Sequence, residues 1–367
     1  MASEILQKAR RALDFARKQV RHLVETYPGK FPTYTTGGKW DFAGEAWTNW
    51  CEGFLAGQLW LIHQYTWDTW WREQAERYSR AIEPRKADQS VHDLGFLFWP
   101  TYKRWYDLTG EKDINEAVIE AGRTLALRFQ QKGGYLASFV GANSTFIDIM
   151  MNVGIIFYAA EQTDNEGLRG IARRHCETTR RCLVRGDGST AQEGIFDTNT
   201  GEFLRQSTHQ GWRGDSCWAR GQAWAIYGFS TAYEFTEDAR FLETAQRCAD
   251  YYIERTPKHG VPPNDWDEPS PALPYESSAA AVAAGGLWNL SQLTADSVRA
   301  ERYRQCAVRI LDTLTSPEFL AADTPGWEGI LKHGIYHQRK GLGVDESTMW
   351  GDYFFLEALL KVIGDEK

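Results

Sequence analysis

Two aspartates in this chain stand where a carboxylate has chemistry open to it. Asp93 lies in SVHDLGF and Asp148 in STFIDIMMN, each at the start of an apolar run. Either has an ordinary reading as a helix N-cap that satisfies the first free backbone N–H groups. On that reading His92 is a polar neighbour, and Ser144 or Thr145 caps as well as Asp148 does. The chemical reading begins with hydration. Asp148 is set among Phe146, Ile147, Ile149 and Met150. A carboxylate surrounded by apolar groups loses water, and its pKa is expected to rise. A carboxylic acid still protonated near neutral pH is a proton donor. Two carboxylates of unlike environment in one pocket are the usual equipment for acid/base work on sugars.

A second concentration of chemistry is Ser207 to Gly228, STHQGWRGDSCWARGQAWAIYG. It places Trp218 and Trp224 around Arg220 and Gln222, with His209, Gln210, Asp215 and Ser216 just upstream. Indole faces stack on sugar rings, arginine grips a carboxylate with two parallel N–H groups, and Gln and His read hydroxyls. The set suits a hydroxylated, anionic ligand. Two Trp at this spacing are equally at home in a helix core, and Asp215 reads more simply as a loop or cap residue.

The elements that must carry these residues repeat. FLAGQLWLI, GFLFWPTY, IMMNVGIIFYAA, QAWAIYGFSTAY and AAAVAAGGLWNL are apolar nearly all round. Each ends in a polar tip with a threonine, at Thr66, Thr109, Thr163, Thr236 and Thr294. A two-faced helix follows; in 239–255, Leu242, Ala245, Ala249, Tyr252 and Ile253 share one side. Helices apolar all round are buried and two-faced ones cover them. Residues 3–26 supply a first outer helix, and a last inner one runs near Trp350 to Ile363. The expected fold is all-α: an (α/α)6 barrel of six hairpins, one domain over residues 1–367, with its site at one end of the inner ring. An open solenoid has repeats of nearly constant length, whereas the threonines here are 43, 54, 73 and 58 residues apart. Long loops entering before the inner helices account for that variation. Trp50 and Glu52, Asp93, Asp148, Ser277 and Ser278, and Trp350 to Asp352 all begin inner helices, so they gather at one end. The loops 130–147 and 184–217 are rich in Gly and Ser/Thr. Residues 257–274 hold six of the twelve prolines. That stretch is no linker, because Trp266 and Leu273 sit inside it and the helical repeat continues on both sides.

Bulk properties narrow the function. The 367 residues are 43% hydrophobic and 25% charged, with 16 Trp, 16 Tyr and 18 Phe, enough for a substantial core. A net charge of −8 disfavours nucleic acid, whose phosphates need a basic surface. An anionic ligand therefore requires local Arg, Lys or His. The six cysteines form no CxxC pair and read as reduced, mostly buried thiols. The segment MASEILQKARRALDFARKQV lacks a secretory apolar region, and no run approaches the ~20 residues of a membrane span. The expectation is a soluble, cytoplasmic protein, a monomer or weak oligomer. No GxGxxG, P-loop, HExxH or GxSxG occurs, so neither nucleotide, zinc nor a serine nucleophile is indicated, and no cofactor is expected.

Taken in order, NWCEGF, VHDLGF, the Ser/Thr approach to an Asp and its apolar helix, STHQGW, WARGQAWAIYG, SSAAA and WGDYFFLEALL resemble glycoside hydrolase family 88, the unsaturated glucuronyl hydrolases. The resemblance spans roughly Trp50 to Leu360. It implies an (α/α)6 barrel that releases a Δ4,5-unsaturated glucuronic acid from the non-reducing end of lyase-generated oligosaccharides. The implied chemistry protonates the enol ether at C4 and adds water at C5; the hemiketal then opens and the aglycone leaves. Asp148 matches the family's general acid/base and Asp93 its second essential carboxylate. His209, Gln210, Arg220, Trp224 and Trp50 match substrate-binding positions. The chain departs from some members in having Ala191-Gln192-Glu193 where they place a His, and Glu276 where they have Asp before the double serine. The loop Arg339 to Ser347 resembles the region where sulfate-accepting members differ, and Lys340 there reads either as a sulfate contact or as a solvated lysine. The related unsaturated rhamnogalacturonyl hydrolases of family 105 share the barrel and the paired Asp. A sugar 2-epimerase on an α/α barrel and a non-catalytic sugar-binding barrel are the more distant readings.

Overall fold

A computed structural model describes residues 2–45, 47–269 and 274–364. The chain is mostly helical. Helix α1 (Ala2–Thr26) lays its apolar face, including Leu6, Ala9, Leu13, Ala16, Val20 and Leu23, onto the rest of the chain. The first helix pair is α2 (Glu52–Thr66) with α3 (Thr69–Ile82). Next, α4 (Leu94–Phe98) runs through a wider π turn, Trp99–Lys103, into α5 (Arg104–Thr109), and α6 (Lys112–Ala126) covers it. Pro100 lies in that turn and has no N–H to offer an α-helical bond. Then come α7 (Ile149–Asn152) and α8 (Gly154–Gln162) under α9 (Glu166–Leu183), and α10 (Ala219–Thr236) under α11 (Ala239–Arg255). The series ends with α12 (Ser277–Leu293), α13 (Ser297–Leu314) and α14 (Met349–Gly364).

The sorting into buried and covering helices follows their sequences. Helix α12 is buried from Ser277 through Trp288, whereas α11 buries one side through Phe241, Ala245, Cys248 and Tyr252. Among the buried helices, α2 touches α4 and α14; α4 touches α7; α7 touches α10; α10 touches α12; α12 touches α14.

The threonine tips have a physical cause. Each hydroxyl donates to the carbonyl four residues earlier: Thr66 to Ile62 (2.8 Å), Thr163 to Ala159 (2.7 Å), Thr236 to Ala232 (2.6 Å) and Thr294 to Leu290 (2.7 Å). Two residues on, Asp68, Asn165, Asp238 and Asp296 cap the covering helix with their side chains. A Thr-x-Asp/Asn unit thus closes one helix and opens the next.

The all-α expectation needs correcting in the loops, which fold into short antiparallel pairs. These are β1 (Tyr34–Thr36) with β2 (Lys39–Asp41), and β3 (Phe129–Gln130) with β4 (Tyr135–Leu136). A three-stranded sheet joins β5 (Ser144–Phe146), β6 (Glu193–Phe196) and β7 (Phe203–Ser207). A hairpin joins β8 (Gly334–His337) and β9 (Leu342–Glu346). Loops this buried must pair their own N–H and C=O groups, and strand pairing does so. Trp266 of the proline-rich segment is buried against Tyr251 and Tyr252; Leu273 lies outside the described residues. No helix among the described residues is long and apolar enough to cross a membrane.

Cys51, Cys176, Cys182, Cys217, Cys248 and Cys306 are all unpaired and buried. A charged thiol reagent is therefore expected to label none of them in the folded protein and all six after denaturation. Fast labelling of the native protein contradicts this burial.

Candidate active site

Asp93 and Asp148 occupy the N-cap positions of α4 and α7, yet neither side chain caps its helix. Both carboxylates are thereby left for other partners. Three local features hold them side by side. Asn152 accepts from Phe96 N–H through Oδ1 (2.8 Å) and donates through Nδ2 to the Asp148 carbonyl (3.1 Å), stapling the start of α4 to the start of α7. A Cβ on Gly95 would lie 2.4 Å from Asn152 Cα, and one on Gly228 2.6 Å from Met150. Only glycine lets α4 and α10 press this closely on α7.

His92 bridges the pair. Its Nε2 lies 3.3 Å from Asp93 Oδ1 and 3.3 Å from Asp148 Oδ2. Its Nδ1 accepts from Phe139 N–H (3.0 Å). Burial opposes charge on this ring and the two carboxylates favour it, raising its pKa overall. The Phe139 bond nevertheless needs a bare Nδ1, so the geometry holds the neutral ring with its proton on Nε2. His92, Asp93 and Asp148 offer ligand atoms all within 4.8 Å of one another, a spacing a cation accepts. That Nε2 proton points between the two carboxylates, where a cation would sit.

The environments differ, but not as the sequence implied. Ile147, Ile149 and Met150 turn into the core, while the Asp148 side chain keeps 19% exposure. Asp93 is the more enclosed at 4%. Burial raises the Asp93 pKa and the Asp148 charge adds to this, against His92 and Thr48. Asp93 Oδ2 accepts from Thr48 Oγ1 (2.8 Å), and Oδ1 faces His92. Asp148 Oδ1 has no hydrogen-bond partner among the described residues.

Thr48 reaches Asp93 from strained backbone. Thr48 (φ 57°) and Asn49 (φ 50°) are both in the left-handed region, costly for residues other than glycine. Arg85 pins this turn: Nη2 donates to the Thr48 carbonyl (2.7 Å), Nη1 pairs with Glu52 (2.8 Å) and Nε with Asp88 (3.0 Å). Thr48→Val removes a bond that lowers the Asp93 pKa, so that pKa rises further. On the reading of Asp93 as an essential carboxylate, any rate limb that needs it ionised is expected to move to higher pH. kcat/KM at neutral pH falls about tenfold, the worth of one hydrogen bond to a charged group. An unchanged pH–rate profile in Thr48→Val contradicts this coupling.

The carboxylates open into a cavity of about 230 Å³. Trp50, His209, Gln210, Arg220 and Trp224 all line it. Trp47, Phe139, Tyr336, His337 and Lys340 line it as well. Arg220 is almost fully buried between Trp218 and Trp350, its guanidinium 4.4 and 5.0 Å from their ring centres. Its fork is occupied: Nη1 donates to Ile335 O (2.5 Å), Nη2 to Gln210 Oε1 (2.5 Å) and Tyr336 O (2.9 Å), and Glu276 lies 3.5 Å away. Gln222 points away from the cavity, donating to Gly188 O and Cys248 O. Asp215 is on the surface, paired with Arg213. Glu52 serves Arg85, and Ser278 accepts from the buried Trp350 indole (2.8 Å). Lys340 pairs with Glu45 (2.9 Å) and lies over the Trp47 ring.

The cavity thus joins a carboxylate pair to aromatic faces and hydrogen-bonding side chains, a layout for acid/base work on a sugar. Known proteins point the same way. The profile described as Glycosyl Hydrolase Family 88 matches residues 20–261. An unsaturated glucuronyl hydrolase of Bacillus sp. (strain GL1) is 33% identical over 326 residues, covering 86% of this chain and 86% of that protein. An unsaturated chondroitin disaccharide hydrolase of Streptococcus pyogenes serotype M1 is 30% identical over 365 residues, 96% of this chain and 91% of that one. The crystal structure of an unsaturated glucuronyl hydrolase from Bacillus sp. GL1 superposes with a TM-score of 0.91 at 31% identity, over 96% of both chains. Sequence profile, relatives and fold agree, and the chain belongs to glycoside hydrolase family 88.

Proposed function

We propose that Asp148 and Asp93 carry out an unsaturated glucuronyl hydrolase reaction, with Asp148 as the proton donor and Asp93 as the carboxylate that tunes and orients it. The observation that carries this assignment is the free oxygen. Asp148 Oδ1 is enclosed and has no hydrogen-bond partner among the described residues, whereas both Asp93 oxygens are engaged by Thr48 and His92. A proton on Asp148 goes to C4 of the Δ4,5-unsaturated uronyl ring. The same carboxylate, now ionised, takes a proton from the water that adds at C5. The resulting hemiketal opens and releases the aglycone, with no attack at the anomeric carbon and no cofactor used in any step.

The substrate is an unsaturated uronyl oligosaccharide from the non-reducing end of a lyase product, of glycosaminoglycan type in keeping with the activities of the relatives. Trp50 and Trp224 offer sugar-stacking faces, and His209 and Gln210 hydrogen bonds. The fold reading that goes with this is an (α/α)6 barrel, one catalytic domain over residues 1–367. It is supported by the succession of contacts from α2 round to α14 and back to α2.

The test is the ultraviolet absorbance of the conjugated C4–C5 double bond in an unsaturated glucuronyl disaccharide. Absorbance is expected to decay with enzyme. A panel of hexosamine, glucose and rhamnose aglycones then fixes the substrate. No decay on any unsaturated uronide overturns the assignment.

A further inference from the structure

We propose that His92 is a positioning residue: a neutral imidazole, fixed as its Nε2–H tautomer by the Phe139 amide, that holds the Asp93 and Asp148 carboxylates together through one shared N–H. This rests on the hydrolase reading above. The His92 ring is buried. It stacks on Phe139 (ring centres 5.6 Å apart, 27°) and meets the Phe146 ring edge-on at the same distance (78°). The two phenylalanines fix its plane, and Phe139 N–H (3.0 Å to Nδ1) fixes which nitrogen is bare. Arg128 sets that amide in place. Its Nε donates to Ala137 O (2.7 Å), and its two Nη groups donate to Gln89 O and Ser138 O. The guanidinium thus ties the stretch before His92 to the stretch before Phe139. Asn152 holds the backbones that carry the two carboxylates. His92 is the group that meets both side chains, at 3.3 Å each.

Two negative groups face this ring, Asp93 and Asp148, and one positive group, Arg128. His175, pushed down to about 3 by burial, is neutral. Burial opposes a charge on His92; Asp93 and Asp148 outweigh it, and Arg128 works against them. The Phe139 amide is a further cost on the charged form. A proton on Nδ1 would set N–H against N–H and leave that amide without its acceptor. The difference matters to a proton donor. An imidazolium this close to both carboxylates would favour ionising both, whereas a neutral ring gives a hydrogen bond without the full charge. Burial raises the Asp93 pKa, and His92 is the largest influence against it. Removing the ring nitrogens therefore raises that pKa further. On the reading of Asp93 as an essential carboxylate, the acid limb of the rate profile then moves to higher pH.

The experiment has a spectroscopic and a kinetic arm. Nitrogen NMR of the ligand-free wild type, with His92 assigned by its loss in His92→Gln, reads the ring directly. At neutral pH it is expected to show a protonated Nε2 and a bare Nδ1. A ring protonated on both nitrogens, or on Nδ1 alone, overturns the proposal. In the kinetic arm, kcat, KM and their pH profiles are measured on the unsaturated disaccharide for His92→Phe and His92→Gln. Phenylalanine keeps a ring between Phe139 and Phe146 and has no N–H. Glutamine carries an NH2 at close to the reach of Nε2. His92→Phe is expected to lower kcat about thirtyfold, the worth of a hydrogen bond to a charged group. Its KM is expected within about threefold of wild type, and its acid limb about one pH unit higher. His92→Gln is expected to recover about tenfold of the lost kcat. Equal kcat in the two variants, an unmoved acid limb in His92→Phe, or a loss confined to KM overturns the proposal. The NMR arm decides it even where His92→Phe does not fold. Read on ligand-free protein, it also separates failure of this proposal from failure of the hydrolase assignment, which the wild-type absorbance assay reads alone.

Discussion

Asp148→Asn is expected to lower kcat on the unsaturated disaccharide by about a thousandfold, within the range of general acid/base contributions, while the protein stays folded and still binds substrate. The amide has the shape of the acid and no proton acidic enough to give to carbon. Its oxygen still accepts from His92, whose Nε2 is 3.3 Å from Asp148 Oδ2. Its NH2 then takes the place of Oδ1, which has no partner among the described residues to lose. The substitution also removes one of two neighbouring negative charges, an interaction that raises the Asp93 pKa. The melting temperature is therefore expected to hold or rise slightly. Absorbance decay gives kcat, and calorimetric titration with intact disaccharide gives the dissociation constant, expected within about threefold of the wild-type KM. A kcat within tenfold of wild type would place the proton donor elsewhere, with Asp93 the next candidate. A protein that neither turns over nor binds would make Asp148 a structural residue.

What the sequence disclosed of this arrangement divides along a physical line. The helix alternation was legible because its signals are local. A threonine bonding back four residues and an Asp or Asn capping two residues later are contacts within one turn of chain, as at Thr236 and Asp238. Asp93 and Asp148 were legible for the same reason, since each precedes an apolar helix. The capping role first open to them is not used, because the helix starts are stapled instead by Asn152, whose two bonds span 56 residues to Phe96 and four to Asp148. Thr48 and the Tyr336–His337 edge of β8 were invisible. The left-handed turn at Thr48 depends on Arg85, and the β8 hairpin gives no helical period. The partial exposure of Asp148 was hidden for a related reason. Apolar neighbours in sequence point into the core, and the carboxylate between them points out.

Arg220 was legible as a residue, but its bonds within the protein were not, and they have a large expected effect. Arg220→Met is expected to cost about 4 kcal/mol of stability, the usual consequence of leaving a buried charge without its partner. That corresponds to a fall in Tm of roughly 8 °C at about 2 °C per kcal/mol for a chain of this size. Glu276 is fully buried, caps α12 through Ala279 N–H (2.9 Å) and accepts from Ile335 N–H (3.1 Å). Arg220 ties the same β8 strand through two carbonyls and sits between Trp218 and Trp350. The pair therefore joins α10, α12 and β8 at the mouth of the cavity, and removing either member releases the wall that carries Tyr336 and His337. Arg220→Met and Glu276→Gln are expected to be non-additive by more than about 1 kcal/mol in a double-mutant cycle. Denaturant melts of the four proteins measure this. A single variant that melts as wild type and loses only substrate affinity would make Arg220 a carboxylate grip after all. Its bonds to Ile335, Tyr336 and Gln210 would then have to be exchanged for bonds to the ligand. A loss of stability shared by both singles and not doubled in the double variant makes Arg220 the strut against which this wall of the cavity is built.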